Sequence, residues 1–150
     1  MQLRTLSALE CTRFLEEHRL GYLACSFEDR PYAVPIYYAF GNNSLYSFSM
    51  PGKKIEIMKK NPRVSLLVEE FGKDRTWKSV IAEGRFEVLA DRVGSKVELD
   101  RAWSLLSKHA NWWEPGGLKP DAQPLAYKSD HLFYRILIDE LSGRESAVSG

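Results

Sequence analysis

Ser47, Ser49, Lys53 and Lys54 put two hydroxyls and two ammonium groups within eight positions of one another, around the link Met50-Pro51-Gly52. Leu45 to Met50 alternates like a strand, and Gly52-Lys53-Lys54 reads as the start of a helix after a tight turn. Alternation puts Tyr46, Phe48 and Met50 on one side, expected to be core. Ser47 and Ser49 fall on the other, expected to face the two lysines. A helix N-terminus presents unpaired N–H groups and a partial positive charge, and two ammonium groups beside it make a seat for a phosphate. The same residues also read as a plain hairpin strand, turn and helix with solvated lysines. Gly52-Lys53-Lys54 is not a Walker loop, because the upstream glycine and the hydroxyl residue after the lysine are absent.

The elements that would position these groups follow from pattern. Ser7 and Glu10 have capping-box spacing and open a helix with Cys11, Phe14, Leu15 and His18 on one face. Strands are expected at 22–27, 32–40, 63–70, 76–89 and 131–141, with hairpin turns at 28–31 and 41–44. Residues 53–61 and 91–110 read as helices, the first stopped by Pro62. In 32–40 both faces are apolar, with Tyr32, Val34, Ile36, Tyr38 and Phe40 on one and Ala33, Pro35, Tyr37 and Ala39 on the other. Such a strand is covered twice. One cover is the core; the other is a helix, a second subunit or a flat ligand. Pro35 cannot donate to a ladder, which places it at an edge or bulge. On 76–89, Trp77 and Ser79 lie opposite the apolar face and would share a non-core surface with Ser47 and Ser49. The 111–129 connection, containing Trp112-Trp113, is long enough to cover something. Residues 142–150 read as a tail, partly disordered. The expected class is mainly β: an antiparallel barrel with peripheral helices, one domain over 1–150.

Bulk properties narrow the function classes. The chain of 150 residues has 44% hydrophobic and 27% charged residues and a net charge of +1, which gives no overall attraction to nucleic acid or membrane. Lys59, Lys60 and Arg63 read as a solvated helix end. Cys11 and Cys25 lack metal spacing and are expected to be buried free thiols in a reducing cytoplasm. His18, His109 and His131 share no ligand spacing, and no metal site is expected. No apolar run of about 18 residues and no signal-like N-terminus is present, which fits a cytoplasmic protein.

The chain resembles the flavin-binding split β-barrels related to pyridoxamine 5′-phosphate oxidase, in particular the group that includes the 5-nitroimidazole resistance proteins. The resemblance rests on Leu20-Gly21-Tyr22-Leu23-Ala24, Pro31 to Tyr38, Leu45 to Ser49, Gly52-Lys53-Lys54, Asn61-Pro62-Arg63-Val64, Trp77 to Arg85 and Arg135 to Gly143, in that order. It implies an antiparallel split barrel and a homodimer with two FMN sites at the subunit interface; FAD, the deazaflavin F420 and haem are the alternatives. Val34, Pro35 and Ile36 would lie along the isoalloxazine ring. Ser47, Phe48 and Ser49 would approach the ribityl chain and phosphate, Lys53 and Lys54 would hold the phosphate, and Trp77 and Ser79 would lie near the flavin. The nitroimidazole resistance proteins often carry histidine where this chain has Phe48, so their route is not expected here. The arginine- and histidine-rich C-terminal segment of a true pyridoxamine phosphate oxidase is not matched either. The expectation is a flavin-dependent oxidoreductase acting on an unidentified small molecule, with no catalytic acid or base named. The alternative is a non-enzymatic carrier of flavin, F420 or haem.

Overall fold

The structure, a computed structural model, describes residues 2–89, 96–108 and 132–147. The first helix, α1 (Ala8–Glu17), begins as the sequence predicts: the Ser7 hydroxyl accepts from the Glu10 N–H, and the Glu10 carboxylate accepts from the Ser7 N–H. Cys11, Phe14 and Leu15 are its buried face. Two further helices are α2 (Lys53–Lys60) and α3 (Lys96–Leu106).

Among the described residues, eight strands form one antiparallel sheet: β1 (Gln2–Thr5), β2 (Leu20–Phe27), β3 (Arg30–Tyr37), β4 (Ala39–Gly41), β5 (Ser44–Ser49), β6 (Arg63–Phe71), β7 (Trp77–Leu89) and β8 (Leu132–Ala147). Their order is β3-β2-β6-β7-β8-β5-β4, with β1 added on β8. Two-residue turns at Glu28-Asp29 and Asn42-Asn43 have positive φ at both positions, the backbone sense that matches the twist of a hairpin. β7 and β8 pair along nearly their whole length, with one irregularity at Glu83/Gly84. Gly84 is required there: a Cβ would sit 2.2 Å from the Leu137 carbonyl oxygen. The architecture is the expected antiparallel split barrel with helices outside.

Two apolar cores result. The larger fills the barrel, with Leu23, Ile36, Tyr38, Leu45, Met58, Leu66, Val80 and Ile136 among its members. The smaller lies between the β4–β5–β8 side and α3 and contains Tyr46, Phe48, Leu99, Ala102, Leu106 and Phe133. β5 is therefore buried on both faces. The Tyr46 and Phe48 side is core as expected, but the opposite side is barrel interior rather than an open surface. Cys11 and Cys25 are both free and buried.

Several boundaries differ from expectation. The strand predicted over 32–40 is two strands that break at Tyr38. There the chain leaves its pairing with β2 and joins β5. Tyr38 turns inward, its N–H donating to the Arg19 carbonyl at 2.8 Å and its hydroxyl to the Leu15 carbonyl at 2.9 Å. The segment expected to be a tail continues β8 to Ala147, paired with β7 and with β1, which periodicity over four exposed residues could not reveal. Helix α3 ends at Leu106, short of the predicted 110; residues 91–95 lie outside the described residues. The 111–129 connection with Trp112-Trp113, and His109 and His131, lie outside the described residues. No helix among the described residues is long and apolar enough to cross a membrane.

Two outcomes follow. A chain ending at Leu141 loses the outer part of the β7–β8 ladder and every β1 pair, and is expected to be insoluble or to melt well below the full chain in a thermal scan. Glu10, beside the Arg4 guanidinium and the Ser7 N–H, has its carboxyl lowered to about 2. Its folded pKa lies below the unfolded value of about 4.3, so its stabilisation is present above that value and is lost as pH falls toward 2. Thermal midpoints measured between pH 6 and 2 should fall more steeply for wild type than for Glu10→Gln; parallel curves would contradict this assignment.

Candidate functional site

Lys53 and Lys54 open α2, and Glu56 is the acidic residue of that turn. Gly52 precedes them as an N-cap with no side chain to accept from the helix N–H groups. Cations at the positive end of a helix work against the dipole, where carboxylates are the usual choice. Lys54 is moreover 8% exposed. A buried ammonium is costly unless negative charge or hydrogen bonding compensates it. Helix end, lysine pair and absent side-chain cap thus all favour an anion at one point. Lys54 also lies close enough to Cys25 to act on its thiol: burial raises the Cys25 pKa, while the Lys54 charge pulls it the other way.

The edge of β3 faces this helix end. A cavity of about 310 Å3 is lined by Tyr32, Val34 and Pro35 on β3 and by Met50, Pro51, Gly52, Lys53 and Lys54. Val34 and Pro35 point to opposite faces of their strand. Both line one cavity because it lies at the strand's open edge, where β3 ends the sheet. The Lys53 ammonium stands 5.0 Å from the Tyr32 ring centre. The walls combine an apolar strip, an unpaired strand edge and two cations.

Four of the ten sequence-predicted residues, Val34, Pro35, Lys53 and Lys54, therefore meet. Ile36 points into the barrel core. Ser47 and Ser49 are buried and do not line the cavity. The Ser47 hydroxyl donates to the Tyr37 carbonyl and that of Ser49 to the Met50 carbonyl, each at 2.7 Å. Alternation located their face correctly; the barrel closing over that face was not visible in it. Phe48 packs in the smaller core, its ring centre 5.0 Å from that of Phe133. Trp77 and Ser79 lie on β7, with β2 and β6 between them and β3, roughly 14 Å across three strand spacings. The shared surface expected for Ser47, Ser49, Trp77 and Ser79 is not formed within one chain. Tyr32, Met50 and Pro51 were not singled out; Tyr32 shares its face with Val34, and that alternation was the available signal.

A second surface adjoins the site. Pro35, Tyr22, Leu67 and Ile81 lie on one rung across β3, β2, β6 and β7. Ala33 and Pro35 are exposed, and Leu20, Tyr22 and Ile81 are 43%, 42% and 40% exposed. The face of β3 opposite the core is thus open to solvent in a single chain.

Comparison with known proteins agrees with this architecture. A protein of Rhizobium meliloti (strain 1021) with no characterised function is 48% identical over 148 residues, 99% of this chain and 98% of that one. The crystal structure of a FAD-binding protein from Mesorhizobium loti is 54% identical, with a TM-score of 0.81 over 98% of this chain and 100% of that one. A Bacteroides thetaiotaomicron protein, provisionally named for 5-nitroimidazole antibiotic resistance, shares the fold at 18% identity, with a TM-score of 0.73 over 97% of this chain and 89% of that one. The profile of the pyridoxamine 5′-phosphate oxidase family matches residues 7–145, and the chain belongs to that family.

Proposed function

We propose that the protein binds a flavin nucleotide at the β3 edge and uses it in redox chemistry on a small molecule, as a cytoplasmic homodimer. The observation that carries this reading is the cavity joining Val34 and Pro35 to Lys53 and Lys54. Its chemistry suits such a ligand. Val34, Pro35 and Met50 offer apolar contact to a flat ring, the unpaired strand edge offers backbone groups to a polar rim, and Lys53, Lys54 and the α2 N-terminus suit a phosphate. The Mesorhizobium loti protein, named as FAD-binding, supports a flavin here; FMN carries the same ring and first phosphate. A bound flavin supplies the electron transfer, and the protein's part is to seat the ring, anchor the phosphate and control access.

The homodimer reading rests on the apolar rung from Pro35 to Ile81, exposed at Pro35, Tyr22 and Ile81 and half-buried at Leu67, which a second copy would cover. It also accounts for Trp77 and Ser79. They stand too far from the cavity of their own chain to touch its ligand, and a partner's β7 laid on the open face could bring them to it.

Lys54→Ala is expected to weaken flavin binding by about 1.5–3 kcal/mol, the range for a hydrogen bond to a charged group. Fluorescence titration of the deflavinated protein measures it, and an unchanged affinity would remove Lys54 from the site. Turnover of NADH or NADPH by the flavin-loaded protein distinguishes an oxidoreductase from a carrier. Light scattering at micromolar concentration should give the mass of two chains. Ile81→Glu should give one chain and reduced flavin retention, whereas a wild-type monomer that keeps its flavin would eliminate the two-chain site.

A further inference from the structure

The end of α1 meets the sheet close to the candidate site. A cavity of about 510 Å3 is lined there by Glu17, His18 and Arg19, by Leu20 and Tyr22 on β2, and by Glu69 on β6. That volume is enough for a small molecule. Tyr22 pairs with Pro35 and Leu20 with Tyr37. The cavity therefore begins one strand away from Pro35, about 5 Å between paired Cα atoms. The last carbonyls of a helix lack partners within it, and here side chains supply them. The Phe14 carbonyl lies 2.8 Å from His18 Nδ1, and the Leu15 carbonyl accepts from the Tyr38 hydroxyl at 2.9 Å.

These attachments orient the polar groups of the cavity. A carbonyl only accepts, so His18 Nδ1 carries the hydrogen, and Nε2 is the ring atom left for other partners. The imidazole also packs on Phe14, with 4.1 Å between ring centres. The Arg19 guanidinium lies 5.7 Å from the Tyr37 ring centre, on the strand that carries Pro35 two residues earlier. Charge is divided by depth. His18 and Arg19 are half-buried, whereas Glu17 and Glu69 are exposed. Leu20 and the Tyr22 ring add apolar surface. A ligand that fits this division has an anionic end for the guanidinium, a flat apolar body, and a cationic end for the carboxylate rim.

We propose that this cavity is the substrate compartment beside the flavin and that it takes a small zwitterion with a flat unsaturated body. Its carboxylate meets Arg19 and the Nε2 edge of His18, its body lies on Tyr22, and its ammonium group stays at Glu17 and Glu69. This rests on the flavin reading of the cavity at Pro35 and names the class of molecule which that reading leaves open. A second copy covering Tyr22 would also roof this compartment.

The test titrates the flavin-loaded full-length protein with para-(aminomethyl)benzoate, benzoate and benzylamine, followed by calorimetry and by the visible flavin spectrum. The zwitterion should bind at least about fivefold more tightly than benzoate and about tenfold more tightly than benzylamine, and should perturb the flavin bands. Arg19→Gln should weaken the zwitterion and benzoate by about tenfold and leave benzylamine within about twofold. Glu17→Gln/Glu69→Gln should weaken the zwitterion and benzylamine by about fivefold and leave benzoate within about twofold. Both carboxylates are exposed, and removing one from the end of α1 does not oppose the helix dipole, so this variant keeps the comparison if Arg19→Gln fails to fold. Circular dichroism checks the fold. Equal affinity for the three probes, or variants that weaken none of them, would overturn the compartment while leaving the flavin site in place. Selective zwitterion binding by a protein that retains no flavin would instead overturn the flavin reading and the substrate role with it.

Discussion

The β7–β8 ladder determines where every other part of the barrel can lie. β7 carries β6, β2 and β3 on one side, and β8 carries β5, β4 and β1 on the other. Backbone pairing over this length leaves few registers that also keep Val80, Ala82, Phe86, Ile136 and Ile138 inside. The irregularity at Gly84 adjusts the strand within that constraint, and the absence of a side chain there lets the Leu137 carbonyl come close. The curled sheet brings β3 and β5 near enough for the Ser47 hydroxyl to reach the Tyr37 carbonyl. The candidate site is made at that junction, where an open strand edge meets the helix that follows β5.

At the junction the local electrostatics oppose stability. Two lysines start a helix, and one of them is buried. Neither placement is favourable by itself. Cations at a helix start beside an open strand edge mark a point where an anion would be accommodated. The charges above α3 form a different arrangement, a mutually paired network. Glu98 accepts from the Tyr46 hydroxyl at 2.6 Å, from Arg101 at 2.8 Å and from Arg135 at 3.2 Å, and Arg135 also pairs with Glu87. That network fastens α3 over the smaller core and holds Tyr46 and Phe48 in it. The two arrangements lie on opposite sides of β5: a structural tie over α3, and the proposed binding site at the start of α2.

Much of the site was legible in sequence because it is local. Gly52, Lys53 and Lys54 are consecutive, and a turn followed by a helix start needs only neighbouring residues. Pro35 marked an edge strand for a backbone reason that holds in any fold. Ser47, Phe48 and Ser49 were harder. Alternation assigns a residue to a face, but it does not say what that face meets, and on β5 both faces met core. Trp77 and Ser79 presented the same difficulty at longer range, since β2 and β6 come between them and the cavity and no local pattern reports strand order.

The sequence by itself determined most of the elements, though not all of their ends: the Ser7–Glu10 cap, turns within 28–31 and 41–44 that the structure narrows to Glu28-Asp29 and Asn42-Asn43, the short helix after Gly52, and the alternating strands of a mainly β chain. These follow from torsional preference, capping and side-chain period, all of which act within a few residues. Tertiary structure decided which faces are closed, that the 142–147 segment is strand, that the chain turns inward at Tyr38, and that the edge of β3 opens onto Lys53 and Lys54. Those outcomes depend on pairing between residues as distant as Gln2 and Ala147. Such pairing is settled by the competition of whole strands for partners and of apolar faces for burial, which no short stretch of sequence contains.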